Sequence, residues 1–301
     1  MAKSLGKLAA RVQTFRHPLD MTWTFSTEVN EYDAAAGPLL RSDAARHTIG
    51  VTVIDSARHR AELLDPPEQF AWWTDDDGDV TGCASLTPPW PLLLECVPDE
   101  ALRPLAEQLL ATGTAVAGVN GPNPLAATFA SVWRSLTGDR VLIHDVLRLF
   151  RLGTLAAPTR STDGYERAAT NADFPLLVDW FTRFGVEVHG PMPRAEEEVA
   201  QRMRHGGARL WCDAADQPVS LVAHTPPIAD VVRVGPVFTP REVRGRGYAE
   251  ALTYAVSLDI VGQGLGAVLF TDQSNPTSNG IYTRLGYRPV MDRLALSFEP
   301  A

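Results

Sequence analysis

The most informative stretch of the chain is a short loop rich in glycine and arginine, Arg244-Gly245-Arg246-Gly247-Tyr248-Ala249. A valine-rich, strand-like run precedes it at 231–238, and an apolar helical run begins at Ala251. Backbone N–H groups at the start of a helix can surround an anionic phosphate, and glycine lets the backbone approach closely. Since two arginines add positive charge, the stretch predicts a site for a phosphate-bearing ligand. The competing interpretation is a plain turn from strand to helix, because a short glycine-rich loop alone is weak evidence. The loop is neither a Walker A loop nor a dinucleotide fingerprint.

The wider pattern around this loop is Arg-x-x-Gly-x-Ala, preceded by Val237-Phe238-Thr239-Pro240. A second motif follows at 275–287, where Asn275 and Pro276 read as the N-cap and first residue of a helix. That helix continues through Ser278 and Tyr282, and Gly286 fits its end. Together the two motifs resemble both halves of the signature of the GNAT N-acetyltransferase superfamily, and the resemblance covers residues 165–298. The first motif is similar to the family's acetyl-CoA pyrophosphate loop.

Composition limits the classes of protein to which the chain can belong. Its 301 residues are 45% hydrophobic, which allows one large domain or two ordinary ones, each with a real core. A formal net charge of -9 disfavours a nucleic-acid or anionic-membrane partner and is compatible with an amine substrate, although solubility explains it more simply. Three cysteines without a Cys-x-x-Cys pair are typical of a reduced, cytoplasmic protein, and the histidines show no metal-ligand spacing. No apolar run approaches the ~20 residues that span a bilayer.

An internal repeat predicts two related domains. Trp73-Thr74-Asp75 is followed by Thr87-Pro88-Pro89, and Trp211-Cys212-Asp213 is followed by Thr225-Pro226-Pro227. The copies lie 138 residues apart, and between the anchors each reads as strand, polar turn and strand. A period of this length indicates duplicated domains and not a solenoid. Chance similarity of two hairpins is the alternative.

The predicted fold class is therefore α/β, with two tandem GNAT-like folds. The resemblance implies that each is a mixed, mostly antiparallel central sheet flanked by helices. The predicted boundaries are an N-terminal tail at 1–20, a degenerate GNAT-like domain at 21–152, a linker at 153–164 and an acetyl-CoA-binding GNAT domain at 165–301. The first copy is called degenerate because it enters its helix through Asp99 and Glu100, whose carboxylates would repel a pyrophosphate.

The resemblance also implies which residues bind acetyl-CoA, the predicted cosubstrate. The strand before the loop would bind the pantetheine arm through its backbone, with Val237, Phe238 and Thr239 as candidates and Pro236 at a bulge. The N–H groups of the loop would bind the pyrophosphate, from Arg244, Gly245, Arg246, Gly247, Tyr248 and Ala249. Asn275 and Ser278 complete the set, with a helix cap as the alternative role of Asn275.

Tyr282 matches the family's general acid, which protonates the sulfur of coenzyme A. A core tyrosine on an amphipathic helix is the alternative interpretation. The general base is open, because the strand before the loop has no glutamate. His224 has a suitable unperturbed pKa near ~6.5. Glu187 and His189 lie between two predicted helices, where relatives bind the acceptor, and Asp272 has no better claim.

The resulting functional prediction is transfer of acetyl from acetyl-CoA to a primary amine of a small molecule, by direct attack in a ternary complex. Two other transferases stay open, a mycothiol-synthase-like enzyme and a protein N-acetyltransferase. A non-catalytic acetyl-CoA-binding regulatory module is the alternative from another class. Because family members are often dimeric, a homodimer is the expected assembly.

Overall fold

The computed structural model describes residues 13–16, 21–60, 66–188 and 194–301, and its chain divides into two compact units. The first unit comprises Met1–Asp43, Ile49–His144 and Leu294–Ala301, and the second comprises Ala44–Thr48 and Asp145–Arg293. No helix in the described part of the chain is long and apolar enough to cross a membrane. The predicted tail at 1–20 lies outside the described residues except for 13–16.

The N-terminal half of the chain contains seven strands and four helices among its described residues. In chain order these are β1 (Gln13–Arg16), β2 (Thr22–Ser26), α1 (Val29–Ser42), α2 (Thr48–His59), β3 (Gln69–Thr74), β4 (Val80–Leu86), β5 (Leu92–Glu95), α3 (Asp99–Ala111), β6 (Gly118–Pro122), α4 (Leu125–Thr137) and β7 (Arg140–Leu152). Strands β1 to β5 pair antiparallel in chain order, and β5 pairs parallel with β6. Trp23 and Trp73 are fully buried with ring centroids 5.6 Å apart, which places aromatic side chains at the centre of this core.

The C-terminal half repeats the order of helices and strands that the N-terminal half has from β2 onward. Its elements are β8 (Tyr165–Ala168), α5 (Phe174–Val188), α6 (Ala195–Arg204), β9 (Ala208–Cys212), β10 (Pro218–His224), β11 (Val231–Phe238), α7 (Tyr248–Gly262), β12 (Gly266–Asp272), α8 (Pro276–Arg284) and β13 (Tyr287–Glu299). Strands β8 to β11 pair antiparallel, and β11 pairs parallel with β12. Each half is thus a mostly antiparallel sheet with one parallel pair.

The repeat extends to individual hydrogen bonds in the two hairpins. In the β3–β4 turn, Asp75 N–H donates to the Asp79 carbonyl at 3.0 Å, and Asp75 Oδ1 accepts from the N–H groups of Asp77 and Asp79. In the β9–β10 turn, Asp213 N–H donates to the Gln217 carbonyl at 3.0 Å, and Asp213 Oδ1 accepts from the N–H groups at positions 215 and 217. Every bond recurs 138 positions later, which favours duplication over chance similarity of two hairpins.

The last strand of each half of the chain is divided between the two units. Most of β7, which ends the N-terminal half, belongs to the second unit, and part of β13, which ends the C-terminal half, belongs to the first. Residues 147–151 of β7 pair antiparallel with β12 in the second unit. Residues 294–301 belong to the first unit, where Phe298 N–H donates to the Ala117 carbonyl at 2.9 Å. The compact units therefore divide the chain differently from the predicted boundaries at 152 and 165.

Two cores cover the two faces of the sheet in the second unit. Val232 and Val234 of β11 pack on one face with α7 and α8. Phe238 packs on the other face, with Trp180 of α5 and with residues of α6. Since residues two apart on a regular strand share a face, Phe238 would lie with Val234 unless the strand contained an extra residue. The bulge that separates them is where the candidate site begins.

Candidate active site

The strand β11 separates from its parallel neighbour halfway along its length. It pairs with β12 only from Val231 to Val234, whereas β12 continues to Asp272 alongside β7. On its other side, the register with β10 shifts between Val222 and His224, so that two residues, Gly235 and Pro236, oppose one residue of β10. This is the bulge at Pro236 that the sequence predicts, and beyond it the strands open into a gap next to the glycine-rich loop.

The loop places backbone N–H groups that have no acceptor within the helix next to this gap. Gly247 is the N-cap of α7 and has a left-handed backbone, with φ +88°, and Gly245 has φ +80°. The first backbone bond of the helix runs from Ala251 N–H to the Gly247 carbonyl, so the N–H groups of residues 248–250 have no acceptor within the helix. The left-handed conformation costs glycine little, which explains why glycine stands at both turning points.

An open cleft of about 830 Å³ runs along the loop and the splayed strand. Its lining includes Val237, Phe238, Thr239, the whole of 244–249, Asn275, Ser278 and Tyr282. The structure therefore brings together every residue that the sequence assigns to acetyl-CoA binding.

Tyr282 lies at the wall of this cleft and is 7% exposed. Its ring makes an edge contact with Tyr287 at 6.1 Å and a tilted contact with Phe150 at 6.4 Å. Burial, with a smaller contribution from Tyr287, raises the pKa of Tyr282 well above its usual value. The phenol is protonated at neutral pH, as an unperturbed tyrosine also is, and that is the state that a proton donor requires.

Asn275 has the role of a helix cap. Its Oδ1 accepts from Ser278 N–H at 3.1 Å, and Pro276 occupies the first turn of α8. This bond fixes the start of the helix that carries Tyr282, while Asn275 also lines the cleft.

Glu187, at the end of α5, also lines the cleft, but its carboxylate accepts hydrogen bonds from two arginines. Arg244 Nη2 donates to Glu187 Oε2 at 2.5 Å, and Arg241 Nε donates to Oε1 at 3.1 Å. Burial alone would raise the pKa of Glu187, but the two guanidinium groups outweigh it and lower that pKa. A carboxylate held in this way is a weak base.

The other base candidates lie elsewhere. His224 is half-buried at the end of β10 and is not among the described residues that line the cleft, and its Nδ1 is 2.9 Å from the Thr225 carbonyl. Burial lowers the pKa of His224. Asp272 is exposed and accepts hydrogen bonds from the backbone N–H and the hydroxyl of Ser274, at 2.7 and 2.8 Å. His189 lies outside the described residues.

Comparison with known proteins agrees with this geometry. The family model described as FR47-like protein matches residues 228–295, which contain the loop and Tyr282. No curated protein matches the chain. Among solved structures, a GCN5-related N-acetyltransferase from Sphaerobacter thermophilus is 17% identical, with a TM-score of 0.65 over 95% of this chain and 96% of that one.

Two further solved structures are similar along most of the chain. A Drosophila protein is 12% identical, with a TM-score of 0.61 over 96% of this chain and 98% of its own. An acetyltransferase of the GNAT family from Colwellia psychrerythraea is 11% identical, with a TM-score of 0.54 over 86% of this chain and 97% of its own. The protein has the GNAT acetyltransferase fold. The predicted fold class and the stated resemblance are both confirmed at this level.

Two features of the cleft were missed by the sequence prediction. The first is that residues 158–162, which the sequence analysis assigned to a linker, line the cleft. We call the whole segment 153–164 the strap. The second feature is an ion pair between α8 and the first turn of α7, in which Arg284 Nε and Nη2 donate to the two carboxylate oxygens of Glu250, both at 3.0 Å. Neither pattern has a local sequence signal, because both depend on chain segments that meet only in the folded unit.

Proposed function

We propose that the protein is an acetyl-CoA-dependent N-acetyltransferase whose acceptor is a primary amine of a small molecule. The observation that carries the proposal is the gap between β11 and β12, which opens beside the unpaired N–H groups at the start of α7. A splayed strand offers free backbone groups to an extended ligand, and the helix start offers donors to its phosphates.

The residues of the cleft fit acetyl-CoA. A side chain at position 247 would place Cβ 2.7 Å from Thr162 Oγ1, so the glycine lets the loop pass close to the segment 153–164, which also lines the cleft. Backbone groups of Val237, Phe238 and Thr239 would hold the pantetheine arm, and the N–H groups of 244–249 would hold the pyrophosphate. When bound, acetyl-CoA supplies an acetyl group activated as a thioester.

Tyr282 would act as the proton donor to the thiolate sulfur that leaves. The observation that supports this role is that the side chain lines the cleft beside the splayed strand. No hydrogen bond ties the Tyr282 hydroxyl to another side chain within the described part of the structure, so its proton is available for transfer.

The acceptor amine is proposed to react in its neutral form, after the ammonium group loses one proton to solvent. The further proton that the nitrogen loses as the amide forms balances the one that Tyr282 gives to sulfur, so that Tyr282 is reprotonated through solvent and the products are the amide and the free thiol. Glu187 is held by Arg241 and Arg244, and neither His224 nor Asp272 is among the described residues that line the cleft, so none of the three described candidates is placed as a general base. The rate is then expected to rise with pH through the pKa of the amine itself.

The test combines calorimetric titration with turnover on a panel of polyamines, amino sugars and amino acids. We expect one acetyl-CoA site per chain and acetyl transfer to at least one amine. Tyr282→Phe is expected to lower kcat by about 10²–10⁴-fold without changing the Kd of acetyl-CoA.

Tyr287→Phe is the matched control. It removes a buried hydroxyl that is 2.7 Å from Ser257 Oγ, so it should cost stability and leave kcat intact. Absence of acetyl-CoA binding would refute the proposal. Tight binding with no acetylation of any amine would instead indicate a binding module.

A further inference from the structure

The strap belongs to the second unit and is hydrogen-bonded to other segments of that unit at both of its ends. At its start, Gly153 N–H donates to the Gly286 carbonyl and Ala156 N–H donates to the Leu285 carbonyl, both at 3.1 Å. At its end, the Trp211 indole N–H donates to the Asp163 carbonyl at 3.0 Å. The strap therefore runs from the end of α8 to β9 along a defined path.

Between these attachments the strap passes the start of α7. Residues 158–162 line the cleft, and Thr162 Oγ1 is the nearest atom to the position that a Cβ on Gly247 would occupy. The strap therefore lies against the glycine-rich loop and contributes to the cleft lining beside the start of α7.

The side chains that line the cleft carry more positive than negative charge. Four arginines and two glutamates line the cleft: Arg160, Arg244, Arg246, Arg284, Glu187 and Glu250. Arg244 pairs with Glu187, and Arg284 pairs with Glu250. Neither Arg160 nor Arg246 has an ion pair within the described ranges, so two positive charges are left to face a ligand.

These two charges lie on different segments. Arg246 stands within the glycine-rich loop, between Gly245 and Gly247, whereas Arg160 is exposed on the strap. Coenzyme A carries two separate anionic groups, the pyrophosphate and the 3′-phosphate of its ribose. One arginine on each segment provides one positive charge for each of these two groups.

We propose that Arg160 binds the 3′-phosphate of coenzyme A and makes the strap the element that selects the 3′-phosphorylated cofactor. The proposal rests on the proposed function, since it assigns a part of the same ligand to the same cleft. Arg246 then serves the pyrophosphate together with the backbone N–H groups of the loop.

The test is calorimetric titration of the full chain with coenzyme A and with 3′-dephospho-coenzyme A, which lacks only the group in question. We expect the wild-type protein to bind coenzyme A about five- to tenfold more tightly than the dephospho form. Arg160→Gln should remove this preference by weakening only coenzyme A. Arg246→Gln should weaken both ligands alike, because both contain the pyrophosphate.

Arg204→Gln is the control for net charge, because Arg204 is an exposed residue of α6 that does not line the cleft. It should leave both affinities unchanged. Equal binding of the two ligands by the wild-type protein, or equal weakening of both by Arg160→Gln, would overturn the role of Arg160 and leave the acetyltransferase proposal standing. Failure of the wild-type protein to bind either ligand would overturn both.

Discussion

Replacement of Gly247 by alanine should destabilise the protein for two separable reasons. The residue has φ +88°, a conformation that costs an L-residue about 1–2 kcal/mol. The new methyl group would also lie 2.7 Å from Thr162 Oγ1, well inside ordinary contact distance. Overpacking of a core costs about 1–3 kcal/mol, and about 1–2 kcal/mol applies here because the atom met is the end of one rotatable side chain. We therefore expect Gly247→Ala to lower the free energy of unfolding by about 2–4 kcal/mol in total.

Gly245→Ala separates the two terms. Gly245 has nearly the same backbone conformation, φ +80°, but a Cβ built there meets no atom within 4 Å. Its cost should therefore be the backbone term alone, about 1–2 kcal/mol. The difference between the two variants measures the contact between the loop and the strap.

Thr162→Ala completes the cycle. It removes Oγ1 and leaves the Thr162 Cβ position, 3.9 Å away, which is an ordinary van der Waals distance. The double variant Gly247→Ala/Thr162→Ala should therefore recover about 1–2 kcal/mol and approach the stability of Gly245→Ala. Urea unfolding of the four proteins gives the coupling free energy. Equal losses in the two glycine variants, or no recovery in the double variant, would refute the placement of the strap against the loop.

Three further outcomes are expected. Asp173→Asn should cost about 2 kcal/mol at pH 7, because Asp173 accepts two hydrogen bonds from Arg167, both at 2.8 Å. Since Arg167 holds the pKa of Asp173 far below its usual value, this advantage is present above pH ~4 and is lost as the pH falls further, which urea unfolding of both proteins between pH 7 and pH 3 would show. His224→Gln should leave kcat within about twofold of wild type, and a loss of about 10²-fold or more in steady-state assays would restore His224 as a base. Glu187→Gln should keep the shape of the pH–rate profile while changing the Kd of acetyl-CoA, whereas loss of the profile's rising limb would indicate a general base.

The sequence predicted the parts of the site that depend on local conformation. A strand, a loop with glycine at its turning points and a helix start are adjacent in the chain, so their relation is fixed by backbone preferences alone. The Asn275 cap and the bulge at Pro236 are of the same kind. For this reason the lining of the cleft contains the whole predicted acetyl-CoA set.

The parts that were missed depend on distant segments. Glu187 is more than fifty residues from its partners Arg241 and Arg244, so the sequence did not show that they pair. Its position between two predicted helices was the only sequence observation about it, and that position indicated a site for the acceptor. The strap is rich in alanine, serine and threonine, a composition typical of a linker, and composition does not show which surface an irregular segment covers. Likewise, periodicity predicted the strand β7 but not that its second half pairs with β12.

The N-terminal half supports the proposal of a single active copy by its contrast at the equivalent place. Its parallel strands also separate early, since β5 pairs with β6 only at Leu92 and Leu93. There the similarity ends, because the helix that follows begins at Asp99 and Glu100 with Pro98 as its N-cap. Two carboxylates in the first turn stabilise the helix dipole but would repel a pyrophosphate, whereas α7 begins with Gly247 and an unpaired arginine beside it. The duplicated fold thus retains the opening of the sheet in both halves, and the charge at the helix start is what confines the proposed cofactor site to the second.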